Sequence, residues 1–447
     1  MRKESEQQTE LVPVFEVSPD IEITSNEVDK LEHNTVFNDI YAEYYNQLAD
    51  ELGEEQYKKN AERMLNCHKK WWGEYYNLQS VFDVKQLSLC HDRFCVNCQH
   101  LKQASQLQRF TKILDEAAKE HDLYLMTLTV PNCPVDGLKK SLDRFALAFR
   151  NIIRYFMGNS TIAGIDFASY GFYACYRNIE IVINPNSFHP HYHCIFALKK
   201  DLDEKKLYTN DYSYNYGVFK RKFSDLEILI QKVLALKYNE IRLDKIVVDY
   251  VLKGISVNKE KLSAWCKKYN VDMSTLDSFR REGYSCVIDK IEGNLWHEAF
   301  KYATKLTKDG DTNMMYFQFK TLVPLLKHLH FGQGYGAWYK LPQDEWEIDP
   351  DVLIAYEYVI TRLKEVEDPV GMTFELLALK QRLHNKSIKC ISRKKAYKIV
   401  QEWLQSRVPD DGLPPPADEV KTDKSQSTYK QLRFDLSFNA DDNFEPF

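Results

Sequence analysis

Apolar positions along this 447-residue chain recur with a period near four in some stretches and near two in others. Residues 1–36 mix Glu, Gln, Ser and Pro with no sustained period, so they are expected to form a largely disordered acidic arm. From Asn38 the pattern turns helical, with Ile40, Tyr44, Leu48 and Leu52 four residues apart. After a cysteine-rich stretch, residues 99–120 read as a helix. Residues 124–130 (YLMTLTV) read as a strand stopped by Pro131. Leu138, Leu142, Phe145, Phe149 and Ile153 trace one face of a long helix.

Strands are expected at about 170–184 and 193–198. A helix marked by Leu226, Ile230, Val233 and Leu234 follows, then another at 262–269, a strand at 284–289 and a helix at about 294–308. Residues 314–406 read as helical, and beyond Arg407 a proline-rich, charged stretch reads as a flexible tail. This order predicts an α+β fold with an antiparallel sheet. The expected divisions are an acidic arm (1–36), a helical and cysteine-rich region (37–110), a central α+β domain (111–310), a helical accessory region (311–408) and an acidic tail (409–447). No internal repeat is visible.

Length points to two or three folded units. No run of eighteen apolar residues occurs, which predicts a soluble protein without a membrane span. The first ten residues lack the apolar stretch of a secretory signal, so a cytoplasmic location is expected, with the ten cysteines reduced and free to bind metal. The net charge of −5 conceals an uneven distribution: residues 1–57 carry −12, residues 409–447 carry −5, and the body between them carries +12. A basic body suits a phosphate-bearing partner, because Lys and Arg neutralising phosphates dominate affinity for nucleic acid.

The chemistry concentrates in three places. In FHPHYHCIFAL, His189, His191 and His193 alternate on a stretch that continues as a buried strand. Residues two apart on a strand share a face, so His191 and His193 can present two imidazoles to one cation, with His189 a further candidate. Glu180, the acid among the apolar neighbours of the preceding strand, can add a carboxylate, and such a set suits Mg²⁺ or Mn²⁺ beside a phosphate. His328 and His330 form a second His-x-His pair with no apolar strand after it, and are read as structural.

The second place is the expected helix around Tyr302, where Glu298 and Lys305 share the tyrosine's face. A phenol so flanked can attack phosphorus, with a metal polarising the phosphate and a cation easing deprotonation. The third is Cys90, Cys95 and Cys98, a C-x4-C-x2-C array whose fourth ligand upstream is Cys67, with His68, His91 and His100 as alternatives; such a set suits a structural zinc ion. Arg93, Lys102 and Arg109 around it are candidate DNA contacts.

Together, TLTVPN (127–132), the stretch from Glu180 to His193 with its HPHYH core, and EAFKYATK (298–305) resemble, in order, three motifs of the replication initiators of small rolling-circle plasmids, within the HUH endonuclease superfamily. The resemblance covers roughly residues 64–340, and the family has cysteines at similar places. It implies a ferredoxin-like (RRM-like) palm with the histidines on a central strand and the tyrosine on an adjacent helix. It further implies nicking of one strand at single-stranded or hairpin origin DNA, a 5′-phosphate retained on Tyr302, and a 3′-hydroxyl left for a host polymerase. Glu298, one turn before Tyr302, would serve a second, terminating cleavage by activating water. No G-x-x-x-x-G-K-[ST] motif occurs, so unwinding is expected from a host helicase. The C-terminal DDNFEPF resembles the tip of bacterial single-stranded-DNA-binding proteins and is a candidate docking point for replication factors. Rival readings are a single-tyrosine transposase or relaxase, and a non-enzymatic zinc-containing DNA-binding protein.

Overall fold

The computed structural model describes residues 17–19, 21–209, 212–215, 218–291, 314–340 and 350–393. The expected helix at 294–308 and the tail beyond Arg407 lie outside these. The chain divides into two compact units, Met1–Gln108 with Glu345–Phe447, and Arg109–Asp344. The helix Val96–Glu120, expected at 99–120, runs through the division.

In the first unit the helical pattern begins earlier than its apolar spacing announced. A strand, Glu22–Ile23, and a helix, Ser25–Leu52, occupy part of the stretch expected to be disordered. The reason is local: Thr24 and Glu27 form a reciprocal capping box, and Val28 and Leu31 enter a core cluster with Trp71 and Phe82. The buried face of this helix is Tyr41, Tyr45 and Leu48, while Leu52 is exposed, so the series through Ile40 and Tyr44 marks the flank and not the core.

The region expected to be helical from 314 to 406 also needs correction. It contains the helices Tyr316–His328, Pro350–Val366 and Leu376–His384, but also three strands, Gly332–Gly336, Val370–Glu375 and Lys389–Ile391. The last two join the sheet of the first unit. Val370–Glu375 pairs antiparallel with Lys70–Tyr76, and Lys389–Ile391 pairs parallel with Val81–Leu87. These pairings span about 300 residues of sequence, which local periodicity does not register. Lys70–Tyr76 and Val81–Leu87 themselves form a hairpin with a register shift at Trp72/Gly73; a side chain at Gly73 would put its Cβ 2.1 Å from the Asp83 carbonyl oxygen.

The second unit is α+β around an antiparallel sheet. Its principal elements run strand His121–Thr129, helix Leu138–Phe156, strands Ala174–Asn184 and Ser187–Lys199, helix Asp225–Tyr238 and strand Cys286–Lys290. In space the strand order is Cys286–Lys290, His121–Thr129, Ser187–Lys199, Ala174–Asn184, then Gly332–Gly336, with the short Cys133–Pro134 also on Ser187–Lys199. Strands first and third in sequence are thus central neighbours. Period-two alternation gives the central strand Ser187–Lys199 two different faces. One carries Phe188, Tyr192 and Phe196, all fully buried, and receives the helix Leu138–Phe156: Phe145 stacks on Tyr192 with ring centroids 3.7 Å apart and Phe149 meets it edge-on.

The helix Asp225–Tyr238 is tied to the edge strand by buried polar groups. Glu227, in a capping box with Ser224, accepts from the Ile288 amide at 2.8 Å, and Gln231 donates to the Cys286 carbonyl. Ser141 and Tyr238 hydrogen-bond at 2.8 Å between the two helices. Truncating Phe145 to alanine removes the stacked ring beneath the central strand and is expected to destabilise the fold by about 3–5 kcal/mol, read as a lower midpoint in denaturant unfolding of the full chain.

Candidate metal and catalytic sites

The opposite face of the same sheet carries the histidines. Register places Glu180, His191 and Thr129 in one row across three strands, and Asn178, His193 and Thr127 in the next. His189 lies one row further, opposite Val182. His189, His191, His193 and Glu180 are all buried, at 8%, 4%, 3% and 9% exposure. The three imidazoles and the carboxylate named from sequence therefore do share one face. His193 Nε2 and Glu180 Oε2 are 2.9 Å apart, and the rings of His189 and His191 have centroids 4.2 Å apart.

Burial favours neutral rings at His189 and His191. Burial, reinforced by the neighbouring His189 and His193, pushes the His191 pKa well below its ordinary value. Burial also lowers that of His189, against the pull of Glu180 and a hydrogen bond to the Val130 backbone. A neutral imidazole has a lone pair to offer a cation, whereas a protonated one does not. Sequence reasoning missed Thr127 and Thr129. Thr129 Oγ1 lies 3.0 Å from His191 Nδ1, and Thr127 Oγ1 lies 3.4 Å from His193 Nδ1. The signal was present as a Thr-x-Thr alternation facing a His-x-His alternation, but only register shows that the two coincide.

Tyr302, Glu298 and Lys305 lie outside the described residues. Lys102 and Arg109 fall on the helix Val96–Glu120, with side chains outside the description, while Arg93 is half-buried beside Asp92. His328 ends the helix Tyr316–His328 and is exposed, as is His330, whose carbonyl accepts from Arg177.

In the first unit, Cys67, Cys90, Cys95 and Cys98 are all buried, and their sulfurs lie within 4.8 Å of one another. The hairpin brings Cys67 and Cys90 together, because one precedes Lys70–Tyr76 and the other follows Val81–Leu87; the His68 amide donates to the Ser88 carbonyl where the two arms close. Cys95 and Cys98 stand at the start of the helix Val96–Glu120. The S···S separations are 3.6 Å (Cys67–Cys95), 3.5 Å (Cys67–Cys98) and 3.6 Å (Cys90–Cys98). Zn–S bonds of about 2.3 Å in a tetrahedron give edges of about 3.8 Å, so the array is close to the size that a tetrahedral ion requires.

His68 and His91, each directly after a cysteine, adopt left-handed backbone conformations (φ 60° and 55°). The Cys90 and Asp92 amides donate to Cys67 and Cys90 sulfurs. Hydrogen bonds from Cys90, Cys95 and Cys98 lower the pKa of the Cys67 thiol, while the same contacts and burial raise those of Cys90 and Cys95. The group could therefore hold a structural metal ion. Of the alternative fourth ligands, His68 sits with Nδ1 3.1 Å from the Cys67 sulfur, and His91 is exposed. Around the cluster, Tyr45 donates to Asp92 at 2.9 Å and Arg63 donates to the Cys90 carbonyl, a frame not apparent from sequence.

Among the described residues, no helix is long and apolar enough to cross a membrane. Residues 81–220 match the family model described as replication protein, a span that contains three of the four cysteines, the Thr-x-Thr strand, Glu180 and the three histidines, and ends before Tyr302. Two curated relatives, both named protein rep, are each 24% identical to this chain. One, from a Bacillus species, aligns over 169 residues, covering 36% of this chain and 50% of its own length. The other, from Bacillus amyloliquefaciens, aligns over 171 residues, 36% of this chain and 46% of its own. The chain thus spans about half the length of the curated relatives it matches. No solved structure matches it. Residues 81–220 are thus similar to the replication protein family whose motifs the chain resembles.

Proposed function

We propose that the chain is a plasmid replication initiator that nicks one strand of its origin by metal-assisted transesterification, with Tyr302 as nucleophile. The observation that carries this reading is the register across three strands, which sets Glu180, His191 and His193 on one buried face of the sheet. The strand-helix-strand-strand-helix-strand order, with first and third strands central, supports a ferredoxin-like palm of the HUH type.

His191, His193 and Glu180, with His189 beside them, would hold Mg²⁺ or Mn²⁺. Bound there, the cation supplies charge to polarise the scissile phosphate. Tyr302 attacks that phosphorus, its oxygen displaces the 3′-oxygen, and the 5′-phosphate stays on the enzyme while the 3′-hydroxyl is released to prime a host polymerase. Lys305 eases deprotonation of the phenol, and Glu298 activates water for the terminating cleavage. The four cysteines hold a structural zinc that fixes the region bearing Arg93, Lys102 and Arg109, which contact DNA. A host helicase unwinds the duplex, and the acidic tail docks replication factors.

Alanine at His191 or at His193 is expected to reduce cleavage of a labelled single strand carrying the cognate origin by at least about 100-fold in Mg²⁺ or Mn²⁺, while the fold persists. Cleavage by both variants at the parent rate, or cleavage in chelator, would remove the metal from the reaction. Tyr302→Phe keeps the ring and loses the attacking oxygen, so nicking should vanish while origin binding in a gel-shift assay survives; normal nicking by this variant rejects the nucleophile.

Elemental analysis of freshly purified chain should find about one zinc per molecule. Cys95→Ser should release it and lower the thermal midpoint; unchanged zinc content in that variant would contradict the site.

A further inference from the structure

Thr127 and Thr129 stand two residues apart on His121–Thr129 and face His193 and His191, two residues apart on Ser187–Lys199. Both threonines are buried, at 2% and 4% exposure, and each hydroxyl meets the Nδ1 side of its histidine, at 3.4 Å for Thr127 and 3.0 Å for Thr129. A neutral imidazole carries one proton on either of two nitrogens, and the partner of one nitrogen decides what the other can do. An acceptor at Nδ1 keeps the proton there and leaves the Nε2 lone pair for a cation. A β-branched threonine suits that task, because its few χ1 rotamers and its burial fix where the hydroxyl points.

We propose that Thr129 and Thr127 are positioning residues that hold His191 and His193 in the Nδ1-protonated form and at a fixed ring orientation, presenting both Nε2 atoms to a divalent cation. The inference rests on the reading of these histidines as cation ligands and gives the TLTVPN strand a part in it. At His193 the Glu180 carboxylate, 2.9 Å from Nε2, competes with Thr127 for the ring proton until a cation takes its place, whereas at His191 the neighbouring group is the packed His189 ring. Thr129, with the shorter contact, carries more of the effect than Thr127.

The test is Mn²⁺ binding, followed by electron paramagnetic resonance on the zinc-loaded full chain carrying Tyr302→Phe, so that no cleavage accompanies the titration. Thr129→Val keeps the shape of the side chain and removes the hydroxyl; it should weaken Mn²⁺ binding about 10–100-fold, the usual cost of losing a group that orients a ligating histidine. Thr127→Val should weaken it by a smaller factor, and Thr129→Ser, which restores the hydroxyl, should return affinity towards the parent value.

Parent-like binding by Thr129→Val, alongside loss of binding in a His191→Ala control, overturns the positioning role and leaves the ligand reading intact. Thr129→Ser binding as weakly as Thr129→Val also overturns it, since packing and not the hydroxyl would then be responsible. A parent chain that binds Mn²⁺ no better than the His191→Ala control overturns both readings together.

Discussion

The register of the central strand Ser187–Lys199 between His121–Thr129 and Ala174–Asn184 is the constraint on which the second unit depends. Side chains alternate faces along a strand, so a slip of one residue would turn His189, His191 and His193 towards the helix Leu138–Phe156 and send Phe188, Tyr192 and Phe196 to the other side. The stacking of Phe145 on Tyr192 therefore does two things at once. It fills the core, and it holds the histidines on the far face, in line with Glu180, Thr127 and Thr129.

The histidine face could be read from residues alone because His189, His191 and His193 alternate, although the strand begins at Ser187, well before the expected 193. The helices Leu138–Phe156 and Asp225–Tyr238 were legible for a similar reason, each having a long run of apolar residues on one side. What stayed hidden depends on partners distant in sequence. Nothing near residues 370–375 or 389–391 announces that they complete a sheet begun at residues 70–87. The helix start at Ser25 was obscured by an acidic composition that resembles an arm, although Thr24 and Glu27 already spelled a capping box. The threonine contacts were likewise visible as a pattern but not as an interaction, because only pairing converts two alternations into two hydrogen bonds.

The two candidate metal sites differ in kind, and the difference follows from the ligand types. Four buried sulfurs at near-tetrahedral spacing form a closed set suited to a structural ion that ties hairpin to helix. Imidazoles and one carboxylate on a sheet face form a harder set, of the kind that favours an oxygen-loving divalent cation over a structural zinc. Burial keeps His191 neutral to lower pH than an exposed histidine, which preserves its lone pair under mildly acidic conditions. The family match covers the histidines, Glu180, Cys90, Cys95 and Cys98, while Cys67 lies before it.

On the proposed reading, the sheet face serves a transesterification in which the chain becomes covalently joined to DNA. The most direct measurement is mass spectrometry of the adduct formed when the full chain is mixed with a single strand carrying its origin and Mn²⁺, then digested with protease and nuclease. A nucleotide-bearing peptide that maps to Tyr302, formed only when the divalent ion is present, is the expected result. Cleavage without any adduct, or an adduct on another residue, would contradict it.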